Sequence, residues 1–394
     1  MRRSGHAGLG VALALVLGLS ASAGADGWKD LPHPGKHRDD SGGGDGKQRP
    51  LVIEEQGNRP FGGTTVGDPS EALLHCDHGY VDYQIPPHAR EVPLLMVHAS
   101  SKKTWETTFD GREGFKPMFV RRGFAVYQTD LPRTGQAGQG CAPTSYEPQP
   151  DRSQSSFNSW RLGLWLPGMP EPEFYPGVQF PTGDADALDE FFRIQTPEFN
   201  APENEEVETD ALAVLLGEIG PSVMLTHSST GSRGWITATK SENVAAIVSY
   251  EPGDYVFPDG ELPPPFLRAD GEEVSRGREI PLEDFQKLTE FPIQIVWGDY
   301  VPEELDPINV GPRLTLDSRR IILMTSLQFA EAINAHGGDA EVLILPDIGI
   351  LGNTHFPMLD NNNVEIADLL SDFLHENGLD SRGMKHEEKR SASR

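Results

Sequence analysis

The chain is poor in cysteine and poor in positive charge. Only two cysteines, Cys76 and Cys141, occur in 394 residues, which excludes a disulfide-stapled scaffold and a cysteine-rich zinc site. Lys and Arg number 33 against 60 Asp and Glu, a formal net charge of −27. Such a surface repels phosphate backbones and anionic bilayers at long range, so nucleic acid and membrane surfaces are excluded as principal partners. The sequence has no internal repeats, and beyond its first 25 residues no uncharged stretch is long enough to span a bilayer. With 37% apolar and 24% charged residues, what remains is the composition of a soluble globular protein, sized for one large domain or two ordinary ones.

The N-terminus bears on compartment. Met1-Arg2-Arg3 supplies positive charge, Leu9 to Leu19 is an apolar run, and Ala21-Ser22-Ala23-Gly24-Ala25 follows. This order predicts a secretory signal peptide over residues 1–25 and therefore a secreted or periplasmic protein. Residues 26–50, with Ser41-Gly42-Gly43-Gly44-Asp45-Gly46 at their centre, read as a flexible leader. Residues 381–394 read as a disordered tail. In an oxidising compartment Cys76 and Cys141 are either two thiols or one disulfide closing a long loop, worth about 4 kcal/mol in the chain-entropy picture. The run His75-Cys76-Asp77-His78 reads as a strand end with alternating polar residues, since no second cluster of metal ligands complements it.

Between leader and tail, over residues 51–380, short apolar runs alternate with helical periodicity. Strands are expected at Val81 to Ile85, Val92 to His98, Phe124 to Thr129, Ser222 to Thr226, Val244 to Ser249, Pro292 to Trp297 and Glu341 to Leu345. Helices are expected at Gly114 to Arg122, Glu206 to Ile219, Ser232 to Lys240, Asp317 to Ala335 and Asn363 to His375. Strands that are almost wholly apolar are covered on both faces, so the fold class is α/β, a mostly parallel sheet between helical layers. Two insertions, 133–205 and 254–290, are too long for ordinary connections. The first is rich in aromatics, among them Phe157, Trp160, Trp165 and Phe180, and forms either a substrate lid or a satellite core.

The chemistry centres on Thr226-His227-Ser228-Ser229-Thr230-Gly231, a strand end, a turn and a helix start. A serine at such a turn projects Oγ above the sheet edge, with the next helix offering N–H groups to a developing oxyanion. Ser228 lies at the apex, ahead of Ser229 and Ser232. Upstream, a buried strand ends at His98-Ala99-Ser100, where a second oxyanion donor would lie. Downstream, His355 sits in Gly352-Asn353-Thr354-His355, between the last strand and the last helix. His98, His227 and His336 follow no such strand and read as packing or solvent histidines. Two acids lie between Ser228 and His355 in chain order: Glu251 after one strand and Asp299 after the next. The order serine, acid, histidine suits both.

These motifs resemble a branch of the α/β-hydrolase superfamily, the bacterial secreted serine esterases with a non-Gly nucleophile elbow. That branch reads Ser-His-Ser-Gln-Ser-Gly at the elbow, Val-Glu-Pro-Gly at the acid and Gly-Asn-Ser-His at the base. This chain has Thr226 to Gly231, Tyr250-Glu251-Pro252-Gly253 and Gly352 to His355. Trp105-Glu106-Thr107-Thr108, Asp110-Gly111-Arg112, Arg121-Arg122-Gly123-Phe124 and Asp360-Asn361-Asn362-Asn363 extend the likeness from about Arg59 to Gly378. The chain departs at the oxyanion loop, which lacks the small Gly-rich turn and paired cysteines of the branch.

The resemblance implies an α/β-hydrolase fold with lid insertions and a triad of Ser228, Glu251 and His355, with Asp299 in a supporting role. It implies oxyanion donors at Ser229 and the Ala99/Ser100 loop, and acyl transfer on a small-molecule ester without metal or organic cofactor. An exported depolymerase with the same triad, or an inactive hydrolase-fold binding protein, are the other readings.

Overall fold

Strands buried on both faces must send alternate side chains into two separate cores, and this chain does so. Leu94 and Met96 of one strand enter one apolar cluster, while Leu95 and Val97 enter the other. The computed structural model describes residues 50–99, 102–143, 147–194 and 202–382. Residues 1–25, nearly all of 26–50, Ser100 and the tail from 383 lie outside the described residues.

Eight strands form the central sheet: β1 (Glu55–Asp68), β2 (Ala72–Ile85), β3 (Leu94–Val97), β4 (Val126–Asp130), β5 (Ser222–His227), β6 (Val244–Tyr250), β7 (Pro292–Trp297) and β8 (Asp339–Ile344). Their spatial order is β1-β2-β4-β3-β5-β6-β7-β8. The β1–β2 and β2–β4 pairs are antiparallel and the remaining pairs parallel. Eight helices accompany the strands: α1 (Phe115–Arg121), α2 (Arg152–Ser159), α3 (Ala187–Arg193), α4 (Pro202–Ile219), α5 (Thr230–Lys240), α6 (Leu282–Lys287), α7 (Leu314–Ala335) and α8 (Asn363–Glu376). α1 and α8 cover one face through Phe115, Phe119, Ile366, Leu370 and Phe373. α4, α5 and α7 cover the other through Leu212, Leu215, Trp235, Phe329 and Ile333. Each such fully buried large side chain contributes about 1.5–3 kcal/mol.

The long hairpin of β1 and β2 was not expected along its full length. β1 buries only Phe61, and its sequence EQGNRPFGGTTVGD is polar and glycine-rich. An edge strand with little buried surface carries almost no hydrophobic signal. Cys76 and Cys141 are joined as a disulfide, with Cα atoms 5.0 Å apart. Beside it the Asp77 carboxylate accepts from Arg133 at 2.7 and 3.0 Å and from the Cys141 N–H at 3.1 Å. The start of the first insertion is thereby fastened to β2. Among the described residues no helix is long and apolar enough to cross a membrane.

Candidate active site

The site stands at the C-terminal ends of β5, β6 and β8. Ser228, between β5 and α5, has φ +55°, a left-handed conformation that costs a non-glycine residue of order 1–3 kcal/mol. Three backbone hydrogen bonds hold it there. Its N–H donates to the Tyr250 carbonyl at 3.0 Å, and its own carbonyl accepts from Gly231 and Gly253, each at 3.0 Å. The two threonines flanking the turn have satisfied hydroxyls: Thr226 donates to Ser249 Oγ at 2.8 Å and Thr230 to the His227 carbonyl at 2.8 Å. The close approach falls instead at Gly231, where an added Cβ would meet Pro252 Cβ at 2.2 Å.

Glu251 follows β6, also at positive φ (+46°), with its N–H donated to the Val296 carbonyl at 2.9 Å. Its carboxylate is fully buried. Oε1 accepts from the Gly298 N–H at 2.9 Å and from the Arg161 guanidinium. Oε2 lies 2.6 Å from Nδ1 of His355. Nε2 of His355 in turn lies 2.9 Å from Oγ of Ser228. A carboxylate only accepts, so Nδ1 carries the proton and Nε2 is left to accept from the serine hydroxyl. Burial, followed by the nearby Arg319 and Arg161, holds His355 well below the ordinary imidazole range. The resting imidazole is neutral, and the arrangement can withdraw a proton from Ser228.

Asp299 and Asp360 shape the histidine loop. Asp299 Oδ2 accepts the Gly352 N–H at 2.8 Å, and its own N–H donates to the Asn353 carbonyl at 2.8 Å. Asp360 accepts from the Thr354 N–H at 2.7 Å and its hydroxyl at 2.9 Å. Burial raises Asp360 to about 7. Of the two acids the sequence offered, Glu251 is the one brought against the imidazole, and Asp299 braces the loop that presents it.

Beneath the serine run two further buried histidines. His227 Nε2 donates to the His355 carbonyl at 2.7 Å, so its Nδ1 must accept, and His98 Nε2 donates to it across 2.9 Å. Burial lowers His98 to about 3 and, with protonation of the adjacent His355 and His98 opposing its own, His227 well below its usual range. This pair ties the end of β3 to the end of β5, where the two proposed oxyanion segments begin. Ser229 is half-buried at the start of α5, Ala99 is buried after β3, and Ser100 lies outside the described residues.

Among the described residues of the first insertion, aromatics pack against the core and the histidine. Phe157 and Phe180 are fully buried in the core shared with α8, and Trp165 packs edge-on to Phe157. Trp160 stacks on His355 with centroids 6.2 Å apart. Aromatic burial in a satellite layer beside the histidine explains the composition of the segment.

Two comparisons bear on this architecture. The probable secreted lipase phiG of a fungal species (strain ATCC 74256) is 29% identical over 320 residues, spanning 74% of this chain and 84% of the lipase. A novel bacterial esterase of solved structure superposes with a TM-score of 0.65 at 27% identity, over 84% of this chain and 98% of the esterase. This is an α/β-hydrolase fold. No protein-family model matches the chain.

In an α/β-hydrolase sheet the parallel strands deliver their C-terminal loops to one edge, which is how residues 127 and 104 positions apart meet here. Sequence reasoning missed Arg161, the Trp160 carbonyl that accepts the His355 N–H at 3.0 Å, and the Gly298 N–H. None carries a local signal: Arg161 reaches Glu251 from 90 positions away, and backbone donors have no residue signature. His227, read as a packing histidine, is also a donor to the loop of His355.

Proposed function

We propose that the chain is an exported serine hydrolase of carboxylic esters, acting through Ser228, His355 and Glu251. The observation that carries this reading is the unbroken line from Ser228 Oγ to His355 Nε2 at 2.9 Å and from His355 Nδ1 to Glu251 Oε2 at 2.6 Å. The names of the lipase and esterase relatives point to the same bond class, and the word secreted in the lipase name agrees with the signal peptide expected over residues 1–25.

Attack forms a bond from Ser228 Oγ to the ester carbonyl carbon while the hydroxyl proton passes to His355 Nε2. The carbonyl oxygen becomes an oxyanion, held by the backbone N–H of Ser229 and a second donor in the Ala99/Ser100 loop. Loss of one such donor costs about 3 kcal/mol of transition-state stabilisation. The imidazolium returns its proton to the departing alkoxide, releasing the alcohol and leaving an acyl-serine. Water, deprotonated by the same imidazole, attacks the acyl carbon; the carboxylic acid leaves and Ser228 regains its proton. Glu251 stays ionised throughout, orienting the ring and offsetting its transient charge.

A fluorophosphonate probe followed by peptide mapping tests this directly. The expected result is stoichiometric modification of Ser228, blocked by prior incubation with a short-chain ester inhibitor. An unlabelled protein, or a label on Ser229 or Ser232, overturns the assignment and leaves a binding protein or another nucleophile.

A further inference from the structure

Three consecutive residues of the first insertion reach three parts of the site. Ser159 accepts from Arg319 through its carbonyl and its hydroxyl, each at 3.2 Å. The Trp160 carbonyl accepts the His355 N–H at 3.0 Å, and its ring lies within 16° of parallel to the imidazole. Arg161, fully buried and at φ +60°, donates through Nε to the Asp299 carbonyl at 2.7 Å and through Nη2 to Glu251 Oε1.

A carboxylate shut away from water is stable as an anion only where cations and donors replace its hydration. Glu251 has three: the Arg161 guanidinium, the Gly298 N–H and the His355 ring. Only the first is a permanent charge. The Nε bond to Asp299 fixes the guanidinium plane, and the left-handed backbone turns the side chain inward from a segment that otherwise runs outside the sheet. A bulky residue in that conformation persists only where its surroundings demand it.

Resting on the serine-esterase reading above, we propose that Arg161 is a positioning residue for the triad acid. It balances the buried charge of Glu251 and occupies Oε1, so that Oε2 is the oxygen presented to His355. The insertion therefore supplies part of the catalytic charge arrangement and is not a removable cover. Within the triad the hydrogen bond of Arg161 is to Glu251, and through that carboxylate it orients the imidazole.

The test is a double-mutant cycle on the full chain, read by ester hydrolysis and by the rate of fluorophosphonate labelling. Arg161→Gln should lower kcat by about 100-fold with KM changed less than about threefold, because the loss is in orienting the base. Arg161→Lys, which keeps the charge without the fork, should recover at least about a tenth of wild-type kcat. In a Glu251→Gln background Arg161→Gln should cost less than about threefold, since residues acting as one unit are not additive. A folded Arg161→Gln enzyme within threefold of wild type overturns the proposal, as does a full loss that persists in the Glu251→Gln background. Should Arg161→Gln fail to fold, Arg161→Lys carries the cycle, and a loss undiminished by Glu251→Gln is again fatal. Wild type that is not labelled at Ser228 removes the esterase reading and this inference together. Labelled wild type whose kinetics ignore Arg161 removes only the inference.

Discussion

The Asp299 carboxylate accepts the backbone N–H of Gly352 at 2.8 Å, three residues before the histidine whose ring it does not engage. That places an acid after β7 in the service of a loop, and leaves the imidazole to Glu251 after β6. The two carboxylates should accordingly fail differently. Glu251→Gln, which keeps size but presents the wrong charge, should lower kcat by on the order of 10³–10⁴-fold. Asp299→Asn should cost about 1–2 kcal/mol of folding stability and much less activity. Steady-state kinetics and urea melts on both variants decide this; the reverse ranking moves the triad acid to Asp299.

The pH–rate profile should extend unusually far into acid. The base is active as neutral imidazole, and burial with Arg319 and Arg161 holds His355 well below the ordinary histidine value of about 6.5. The acid limb of kcat/KM for ester hydrolysis should therefore have its midpoint below pH 6.5. A midpoint at or above that value would mean that burial and the two arginines do not set the base.

Stability should move the opposite way on acidification. His98, His227 and His355 all have folded values depressed below 6.5, so below that pH the unfolded chain takes up protons that the native state refuses. Each group then removes about 1.4 kcal/mol per pH unit, and for His98 this continues down to about 3. Asp360, raised to about 7, opposes them, because between 7 and 4 the native state binds the extra proton. The histidines outnumber it. Urea titrations from pH 7 to 5 should show falling stability, and His98→Gln should flatten the slope by about one proton.

Breaking the single disulfide should be costly. Cys76 and Cys141 are 65 positions apart, and a loop of that length is worth about 4 kcal/mol of unfolded-state entropy. The Cys76→Ala/Cys141→Ala protein should show a lowered urea midpoint, with an m-value equal to or above that of the wild type because the unlinked unfolded chain is less compact. A loss below about 1 kcal/mol would mean that the hydrogen bonds of Asp77 to Arg133 and to the backbone near Cys141 suffice to hold the insertion on β2.

The elbow should tolerate no side chain at Gly231. Its added Cβ would sit 2.2 Å from Pro252 Cβ and 2.9 Å from Pro252 Cα, and the contact joins the turn of the nucleophile to the loop of the acid. Gly231→Ala should destabilise by about 1–3 kcal/mol and depress kcat more than KM. A Thr226→Gly protein, which restores the glycine of commoner elbows, should gain no activity, since the Thr226 hydroxyl already has a partner in Ser249.

By itself the sequence determined the layered fold and singled out Ser228 and His355, with Glu251 and Asp299 both offered as the acid and Glu251 implied by the resemblance. Apolar strands such as Leu94–Val97 and Val244–Tyr250 require cover on both faces, and periodic helices such as α7 and α8 supply it; both signals are local and repeat within a few residues. Ser228 and His355 were legible because a turn after a strand and a loop before a helix leave marks in the chain. The first strand was not, because an exposed polar edge buries too little to leave a pattern. Only the tertiary structure brought an acid against the imidazole and Cys76 against Cys141, and showed that an insertion read as lid or satellite core sends Arg161 into the centre of the site. Those are relationships across 65 to 104 positions of chain, fixed by a disulfide, hydrogen bonds and charge pairing. Geometry of that kind follows from packing and has no periodicity for a sequence to display.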